Sequence, residues 1–393
     1  MARRKKKDFE YTRHNQVTLV RGGAPYFGLL EELIDKANSS IHLQTYIFDS
    51  DETGQRIANA LIRAARRNVT VYVLLDGYAS RHLSPGIISR WKSSGIQFSF
   101  FEPLFRSNNF YIGRRMHHKI LAVDGLHALV GGINISNRYN DFNGIPAWLD
   151  WAVHATGETG PEIEAYCCYI WNGSQRRRPC ATLPPTHLPE MEECLVRIRV
   201  NDWIQRRMQV YQSYMHLFGA AREEVILLSS YFWPGRKLLR KMFDAAARGV
   251  KIKLILTGVS DVRIAKSAER YIYRRLFRHG IEVYEYGKTV LHGKMAVADG
   301  QLVTIGSYNV NNISAYASME LNLDINNEPF ANTVAQRMKD IIANDCVQVT
   351  DDTYLAKYTP LRRFSYLLAY EAVHFIFLLF TFYFRQTKKL KQE

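Results

Sequence analysis

The 393-residue sequence contains little cysteine, and its cysteines follow no metal-binding pattern. Five cysteines occur, none spaced like the paired motifs of zinc sites, and no secretory leader precedes them. We therefore expect unpaired thiols in a reducing compartment and no metal centre. Disorder is excluded too, because a hydrophobic content of 47% supplies enough apolar side chains for the cores of two domains.

Acidic residues are also in short supply. The 37 acidic and 52 basic residues give a net charge of +15, and residues 1–16 form a tail with five basic residues among its first seven. Such a tail attracts polyanions, and it is equally compatible with nucleic acid and with an anionic membrane surface. A solvated tail without a partner is a third interpretation.

Only one apolar run, residues 364–384, has the length of a membrane span. As a helix it would extend about 30 Å, the thickness of a hydrocarbon core. Glu371 and His374 interrupt it and share one helical face with Leu378 and Thr381, as in a helix that lies in the interface or docks on protein. We predict that residues 351–393 form a carboxy-terminal tail and that this apolar segment attaches it to the membrane. The alternative interpretation is that the segment is a helix of the protein core.

One segment of the sequence occurs twice, at a constant offset of 175 residues. HHKILAVDGLHALVGGIN begins at residue 117 and LHGKMAVADGQLVTIGSYN begins at residue 291. Five functional-looking identities in register are hard to obtain by chance, so an internal repeat is indicated. The matched pairs are His117 and His292, Lys119 and Lys294, Asp124 and Asp299, Gly131 and Gly306, and Asn134 and Asn309.

The repeat extends upstream and predicts the fold. In each copy a strand-like run is followed by a helical segment and then by two further apolar strands. The first copy has, in this order, SIHLQTYIFDS, residues 54–67, VTVYVLLD and GIQFSFFE. The second copy has EVILLSSYFW, residues 237–248, VKIKLILT and GIEVYEY. This alternation predicts parallel βαβ units and an α/β sandwich in each half. We expect a first repeat over residues 17–171, a Pro-rich and charged linker over 172–195 and a second repeat over 196–350. The loop around residues 105–112 is longer in the first copy.

The histidine and lysine of each copy can act together. Side chains two positions apart share a strand face, so His117 and Lys119 project together, as do His292 and Lys294. Equivalent halves that pack about a pseudo-twofold axis would bring both sets to one cavity at their interface. There, cations would hold the oxygens of a phosphate diester, one imidazole would attack phosphorus and the other would protonate the leaving oxygen, without metal or cofactor. A surface strand with a satisfied histidine is the alternative.

Other polar residues of the repeated segment have supporting roles. The amide of Asn134 can donate hydrogen bonds to an oxyanion, and Gly132 permits close approach of the backbone. Asp124 has the opposite strand parity to His117 and begins an Asp-Gly turn signal. We therefore interpret it as a turn or scaffold residue and not as a member of the reacting set, although it remains among the catalytic candidates because it recurs in both copies of the motif. The second copy offers Asn309, Ser307 and Asp299 at the same positions.

Each histidine also needs a carboxylate to orient or charge its ring. Asp150 and Glu320 lie at similar distances downstream of His117 and His292, and they are our candidates. A plain salt bridge is the alternative interpretation, because both residues precede apolar strand-like runs.

HHKILAVD and LHGKMAVAD match the HxKxxxxD signature of the phospholipase D superfamily, each followed by Gly-(Gly or Ser)-x-Asn. TYIFDSDETG, GGINIS and SSYFWPG resemble stretches of bacterial cardiolipin synthases, specifically the short type without amino-terminal transmembrane helices. The resemblance covers roughly residues 17–350. It implies phosphatidyl transfer, here cardiolipin synthesis, through a phosphohistidine and without metal; a phospholipase D hydrolase or a nucleic-acid phosphodiesterase of the same superfamily is the alternative.

The resemblance also implies roles for individual residues. His117 would be the nucleophile and His292 the acid, while Lys119, Lys294 and the two asparagines would hold the phosphate, with Asp150 and Glu320 behind the histidines. The implied substrates are phosphatidylglycerol and, as another donor, phosphatidylethanolamine. The implied place is the cytoplasmic face of the bacterial membrane, with peripheral or carboxy-terminal attachment. Nucleic acid is the less favoured partner, and the sequence does not specify an oligomeric state.

Overall fold

The computed structural model describes residues 10–103, 114–173, 180, 193–260, 262–311, 314–315, 318–356, 359 and 364–372. The basic residues at positions 3–7, the long loop around residues 105–112, most of the predicted linker and residues 373–384 of the apolar run lie outside these ranges.

The first repeat contains eight strands and four helices among the described residues. They are β1 (Thr12–Arg21), α1 (Ala24–Lys36), β2 (Ser40–Thr45), α2 (Glu52–Arg66), β3 (Thr70–Asp76), α3 (Pro85–Ser93), β4 (Gln97–Phe101), β5 (Arg115–Met116), β6 (Lys119–Val123), β7 (His127–Gly131), β8 (Trp151–Gly157) and α4 (Thr159–Asn172). The predicted boundary at residue 17 therefore falls inside β1, and the domain limits stay a prediction.

The second repeat follows the same order. Its elements are β9 (Glu193–Asp202), β10 (Arg207–Met208), α5 (Gln209–Ala220), β11 (Glu224–Ser229), α6 (Arg236–Ala247), β12 (Lys251–Thr257), α7 (Arg263–Tyr271), α8 (Tyr273–Phe277), β13 (Glu282–Tyr286), β14 (Lys294–Ala298), β15 (Leu302–Gly306), β16 (Ser318–Asn326) and α9 (Glu328–Asp345). The chain continues with β17 (Cys346–Val349), α10 (Asp351–Ala356) and a helical segment over residues 364–372.

The strand order is the same in the two repeats, read outward from their junction. The first sheet runs β1-β8-β7-β6-β2-β3-β4 and the second runs β9-β16-β15-β14-β11-β12-β13, with β17 at its edge. β1 pairs with β9 and joins the two sheets. This arrangement confirms the predicted α/β fold of two related repeats.

The parallel part of each sheet comes from the predicted βαβ units. β2, β3 and β4 are parallel, as are β11, β12 and β13, while the strands toward the junction are antiparallel. α2 begins where the side chain of Asp51 accepts a hydrogen bond from the backbone N–H of Gly54, which satisfies one of the free donors at a helix start. The predicted strands and helices of both copies are confirmed, with ends shifted by up to a few residues.

Three hydrophobic cores explain how the halves stay together. One core lies within the first repeat under α1, α2 and α3, and one lies within the second repeat under α5, α6 and α8. The third contains side chains from both sheets together with α4 and α9, including Ile120, Met295 and Met338. Because this shared core buries apolar area from both repeats, the hydrophobic effect favours their face-to-face packing.

Two of the five cysteines contradict the expectation of unpaired thiols. Cys168 of α4 forms a disulfide with Cys180, twelve residues later, whereas Cys167, Cys194 and Cys346 are free. Cys180 lies at the same buried place as Cys168, a proximity that the spacing of the cysteines did not indicate.

The carboxy-terminal helical segment lies on the second repeat. Tyr370 packs its ring against Trp233 and Tyr271, at centroid distances of 5.5 and 4.8 Å. Within the part of the chain that the structure describes, every helix is too short or too polar to cross a bilayer.

Candidate active site

The two histidines occupy equivalent places at the junction of the repeats. His117 follows the short strand β5 and precedes β6, and His292 lies just before β14. Asp76, at the end of β3, accepts a hydrogen bond from the backbone N–H of Met116 at 2.9 Å and fixes the approach to His117. The side chain of His117 is 17% exposed and that of His292 is 8% exposed, so His117 is the more accessible imidazole.

Each histidine is paired with a carboxylate from the opposite repeat. Nδ1 of His117 lies 2.9 and 3.0 Å from the two carboxylate oxygens of Glu320. Nδ1 of His292 lies 2.6 Å from Oδ2 of Asp150. The candidates for orienting residues thus do contact the histidines, but the pairing crosses between the repeats.

Backbone contacts explain this crossing. The chain before β8 reaches the second repeat, where the backbone oxygen of Leu149 accepts hydrogen bonds from the N–H groups of His292 and Gly293 at 2.8 and 2.9 Å. In the opposite direction, the first residues of β16 pair with β5, and the N–H of His117 donates to the backbone oxygen of Met319 at 2.9 Å. The residue that follows each crossing contact is the carboxylate.

Small and hydroxyl side chains make room for the two carboxylates. A Cβ atom on Gly132 would lie 2.6 Å from both carboxylate oxygens of Asp150, so this position needs a glycine. Its counterpart, Ser307, donates a hydrogen bond to Glu320 at 2.6 Å, and Ser318 donates a second at 2.6 Å. The predicted substrate-binding pair Gly132 and Ser307 therefore lies directly behind the carboxylates.

The two lysines complete the polar cluster. Lys119 and Lys294 are buried, and the ammonium group of each donates to the backbone oxygen of the histidine two residues earlier. Nζ of Lys294 also lies 3.1 Å from Nδ1 of His292. Burial lowers the pKa of Lys119 to about 7, while Glu320 raises it and Lys294 lowers it. The influence of Lys294 on Lys119 shows that the two sets share one electrostatic site.

Burial also governs the protonation of the histidines. Burial lowers the pKa of His117, with Glu320 acting against it and Lys119 adding to it. Burial lowers the pKa of His292 to about 3, with Lys294 adding to the effect and Asp150 opposing it. Both imidazoles are therefore neutral at neutral pH. With Nδ1–H donated to a carboxylate, Nε2 of each ring carries the lone pair.

Both carboxylates are ionised. Burial raises the pKa of Asp150, but Lys294 and the hydrogen bond from His292 outweigh burial and the net pKa is lowered. For Glu320 the same balance holds, since His117, Lys119 and Ser307 outweigh burial. Asp150 and Glu320 thus each place a negative charge beside a neutral imidazole.

The two asparagines connect the motif to the ends of β2 and β11. Asn134 accepts a hydrogen bond from the N–H of Ile47 at 3.1 Å and donates to the hydroxyl of Tyr139 at 2.9 Å. Asn309 accepts from the hydroxyl of Ser230 at 2.6 Å. Both amides are buried, and their oxygens accept hydrogen bonds from protein donors. The second N–H of Asn134 and the NH₂ group of Asn309 are therefore the possible donors to a ligand.

Asp124 and Asp299 lie in turns and contact neither histidine in the described structure. Asp124 has φ +55° and accepts three backbone N–H bonds from residues 38–40, and Asp299 has φ +51° and accepts three from residues 222–224. Their carboxylates tie the hairpin after the motif to the start of β2 or β11. These contacts support the interpretation as scaffold residues.

Three aromatic residues lie at the site among the described residues, and of these only Tyr46 has a counterpart in the repeat, Tyr231. The ring of Tyr46 lies edge-on to His117 at 4.8 Å, and the rings of Tyr139 and Trp148 lie 5.0 and 6.0 Å from His292. Tyr139 and Trp148 come from the segment between Asn134 and Asp150, which is five residues longer than its counterpart in the second copy. Only that difference in length could have drawn attention to them.

A separate cleft of about 1060 Å³ lies between β1 and α9. Leu149 and Trp151 line it, but the histidines, lysines and carboxylates do not. This cleft is therefore distinct from the group of side chains that forms the candidate active site.

Comparison with known proteins agrees with this geometry. The family model described as cardiolipin synthase, PLD-like domain matches residues 30–144 and 214–342, one match in each repeat. Cardiolipin synthase B of Salmonella typhimurium is 35% identical over 354 residues, which cover 88% of this chain and 84% of that protein. The cardiolipin synthase of Geobacillus kaustophilus is 29% identical over 317 residues, which cover 78% of this chain and 62% of that protein.

A solved structure shows the same fold. The crystal structure of a phosphatidylserine synthase of Haemophilus influenzae superposes with a TM-score of 0.73 at 14% identity, over 94% of this chain and 96% of that one. The resemblance inferred from the paired motifs is confirmed by the matches in sequence. The chain belongs to the cardiolipin synthase family of phospholipase D-like proteins and is a phosphatidyltransferase of the phospholipase D type.

Proposed function

We propose that this phosphatidyltransferase makes cardiolipin by transferring a phosphatidyl group to phosphatidylglycerol through a phosphohistidine at residue 117. The observation that carries the proposal is the crossed pairing of His117 with Glu320 and of His292 with Asp150. Two imidazoles, each held by a carboxylate of the other repeat, provide a nucleophile and a proton carrier for one phosphate group.

In the first step, Nε2 of His117 attacks the phosphorus of the donor lipid. A phosphorus–nitrogen bond forms, the bond from phosphorus to the leaving oxygen breaks, and His292 gives the leaving oxygen a proton. His117 takes the nucleophilic role because it is the more exposed ring. Glu320 accepts the Nδ1 hydrogen bond and stabilises the positive charge that develops on the ring.

In the second step, the neutral ring of His292 accepts the proton of an incoming hydroxyl group of phosphatidylglycerol. The hydroxyl oxygen attacks phosphorus, the phosphorus–nitrogen bond breaks and His117 is regenerated. His292 must be protonated at the start of the cycle although burial and Lys294 lower its pKa in the empty site. A bound phosphate diester is an anion, and its charge favours the imidazolium form.

Lys119, Lys294, Asn134 and Asn309 hold the non-bridging oxygens of the phosphate in this scheme. Ammonium groups and amide N–H groups aimed at developing negative charge stabilise a transition state most effectively where water is excluded. Both lysines and both asparagines are buried, as this role requires.

Analysis of lipid products tests the function. Purified protein is incubated with labelled phosphatidylglycerol, alone and mixed with phosphatidylethanolamine, and the His117→Ala variant is the control. We expect cardiolipin with release of glycerol, and release of ethanolamine if phosphatidylethanolamine also serves as donor. Phosphatidic acid as the sole product would indicate a hydrolase instead. Cleavage of a nucleic-acid diester that weakens steeply with salt would indicate a nuclease.

We also propose that the protein attaches peripherally to the cytoplasmic face of the bacterial membrane through its carboxy-terminal helical segment. Phe364 and Leu368, one helical turn apart, are 57% and 53% exposed, and Val262 and Ile264 at the start of α7 are 40% and 48% exposed. The net charge of +15 favours an anionic bilayer as the surface that covers these side chains.

The location of this helix also suits a lipid substrate. The ring of Tyr370 packs on the ring of Trp233. The backbone N–H of Trp233 donates to the backbone oxygen of Val310, the residue next to Asn309. Apolar side chains that enter the bilayer here would bring the site to the level of the phospholipid head groups.

Sedimentation with vesicles that contain phosphatidylglycerol tests the attachment. Deletion of residues 364–393 is expected to release the protein from the vesicles, and Phe364→Glu with Leu368→Glu to weaken binding at least severalfold. Val347→Glu, at an apolar residue on β17 that is more exposed than Phe364 or Leu368, serves as the control and keeps binding. Unchanged sedimentation of the deletion variant would contradict attachment at this segment.

A further inference from the structure

A buried cluster of potential metal ligands lies in the first repeat and takes no part in the proposed transfer reaction. It consists of His42 on β2, Glu164 and Cys168 on α4, and Cys180 beyond that helix. All four residues are at least nine-tenths buried. Nε2 of His42 lies 3.7 Å from each of the two sulfur atoms and 3.8 Å from Oε1 of Glu164.

Contacts other than the disulfide hold each member in place. The backbone N–H of Cys180 donates to the side chain of Asn172 at 2.7 Å, and that side chain donates back to the backbone oxygen of Cys180 at 2.9 Å. The ring of His42 stacks on Tyr72 at 4.7 Å. The hydroxyl of Ser40 donates to Oε1 of Glu164 at 2.6 Å. The four side chains are therefore fixed by β2, β3 and α4, and reduction of the disulfide leaves these contacts intact.

Two polar atoms of the cluster are unsatisfied. Nδ1 of His42 and Oε2 of Glu164 are buried without a hydrogen-bond partner among the described residues. A buried polar atom without a partner destabilises the folded state, so such atoms in a folded protein commonly indicate a ligand or water. Oε2 of Glu164 is available to an ion in the cluster, whereas Nδ1 of His42 is not the ring nitrogen that faces the sulfur atoms.

We propose that the dithiol form of the chain binds one Zn²⁺ ion through Cys168, Cys180 and Nε2 of His42, with Glu164 as the fourth ligand. Zinc in proteins is tetrahedral, with distances of about 2.3 Å to sulfur and about 2.0 to 2.1 Å to nitrogen, which places sulfur and nitrogen about 3.6 Å apart. The observed sulfur–nitrogen separations of 3.7 Å fit this geometry, and the two sulfur atoms, which are bonded to each other in the disulfide, have to move apart after reduction. Two cysteines, a histidine and a carboxylate form a ligand set that suits Zn²⁺.

The disulfide and the zinc site are two states of the same residues. Reduction adds two electrons and two protons to the disulfide and gives two thiols. Binding of Zn²⁺ then forms two zinc–sulfur bonds and releases two protons. Oxidation of the two thiolates to the disulfide removes two electrons, which an external oxidant such as a disulfide accepts, and sets the ion free. The cluster would thus bind the ion only under reducing conditions.

Metal binding by the purified full chain tests this proposal. The protein is reduced with dithiothreitol without oxygen, the reductant is removed, and Co²⁺ is added as a spectroscopic probe, followed by Zn²⁺ in competition with a chromogenic chelator. We expect one ion per chain, the thiolate-to-Co²⁺ charge-transfer absorption, and its loss when Zn²⁺ displaces Co²⁺. The chain with its disulfide intact should bind at least about 10-fold more weakly, since loss of even an outer partner of a metal ligand costs about 10- to 100-fold in affinity.

Variants provide the matched comparison. Cys168→Ser and His42→Ala should each lose the absorption or weaken binding by at least about 10-fold. Cys167→Ser changes the neighbouring buried cysteine, which is outside the cluster, and should bind like the wild type. Circular dichroism and phosphatidyl transfer by each variant report whether it folds.

Two results would overturn the proposal. The first is a reduced wild-type chain without the thiolate absorption, a result that does not depend on the folding of any variant. The second is equal affinity of the reduced chain, the disulfide chain and folded Cys168→Ser, which would mean that the ion binds elsewhere and that Cys168–Cys180 is a structural disulfide only.

Discussion

The two halves of the active site carry the same motif but surround it differently. His117 is the more exposed ring and faces both oxygens of Glu320 at 2.9 and 3.0 Å. His292 is more deeply buried and contacts one oxygen of Asp150 at 2.6 Å. Aromatic rings of Tyr139 and Trp148 lie beside His292. The more exposed ring of His117 is accessible to the donor lipid, as a nucleophile must be. The more buried ring of His292 is shielded from water, which suits a proton carrier.

The carboxylates differ in a compensating way. The longer Glu320 receives hydrogen bonds from Ser307 and Ser318, whereas the shorter Asp150 lies against Gly132 and accepts the N–H of Trp151 at 2.7 Å. A serine at position 132 would place its Cβ 2.6 Å from both carboxylate oxygens. The two copies of the repeat therefore keep the same histidine–carboxylate pair, while the carboxylate and the residue that contacts it change together.

Removal of each imidazole is the strongest way to test this comparison. His117→Ala should lower kcat by at least about 10⁴-fold, because loss of a nucleophile abolishes the covalent route. His292→Ala should lower turnover by roughly 10²- to 10⁴-fold, the usual contribution of a general acid or base, and either block the reaction or leave a trapped phosphorylated enzyme. Transfer of labelled phosphatidyl groups to lipid and to protein distinguishes the two variants.

The control for both variants is His118→Gln. His118 is fully buried, its Nε2 contacts Gln44 at 2.9 Å, and burial lowers its pKa to about 3. It is a core residue beside the nucleophile and should contribute to stability more than to transfer. Full activity of His117→Ala, or labelled protein formed by that variant, would contradict the assignment of the nucleophile.

Loss of the orienting charges should have the next largest effect. Glu320→Gln and Asp150→Asn should each reduce kcat by about 10²- to 10⁴-fold, the range known for a carboxylate that orients a catalytic histidine. The crossed pairing makes a sharper prediction. Glu320 raises the pKa of His117, so Glu320→Gln should lower that pKa further, and Asp150→Asn should leave it nearly unchanged.

Titration of ¹⁵N-labelled imidazole by NMR measures this difference. Assignment of the His117 resonance from the His117→Ala spectrum makes the comparison direct. A shift of the His117 titration in Asp150→Asn and none in Glu320→Gln would mean that each carboxylate serves the histidine of its own repeat, contrary to the structure.

The sequence predicted much of this site because the two copies are in register. The constant offset between the copies led to the prediction that His117, His292 and the two lysines form one site. The order of strand-like and helical segments predicted the βαβ units correctly. Spacing along the chain did not reveal which carboxylate faces which ring. That depends on the crossing of residues 149 and 319 into the opposite repeat, a tertiary contact that no local pattern encodes.

Other features escaped prediction for related reasons. Tyr139 and Trp148 lie in a segment that is five residues longer than its counterpart, so the repeat could not identify them as neighbours of His292. The pairing of Cys168 with Cys180 depends on a tertiary contact that the spacing of the cysteines does not encode. In both cases the sequence contains the residues, but the path of the backbone determines what they contact.

The smallest expected effect concerns the charge of Lys119. Burial lowers its pKa to about 7, so the ammonium form predominates below pH 7 and the neutral amine above it. Phosphate binding should therefore weaken as the pH rises through 7, and KM should increase roughly tenfold toward pH 9, which corresponds to the loss of one charged hydrogen bond.

Substitution by arginine separates this effect from the titration of the histidines. Lys119→Arg keeps its charge at every pH in the range, because the pKa of a guanidinium group lies above 12. The alkaline rise in KM should disappear in this variant even if kcat is lower, whereas Lys294→Arg should retain it. An unchanged alkaline rise in Lys119→Arg would assign the effect to another group. In that case the two lysines would be equivalent phosphate ligands, and the asymmetry of the site would belong to the histidines and their carboxylates alone.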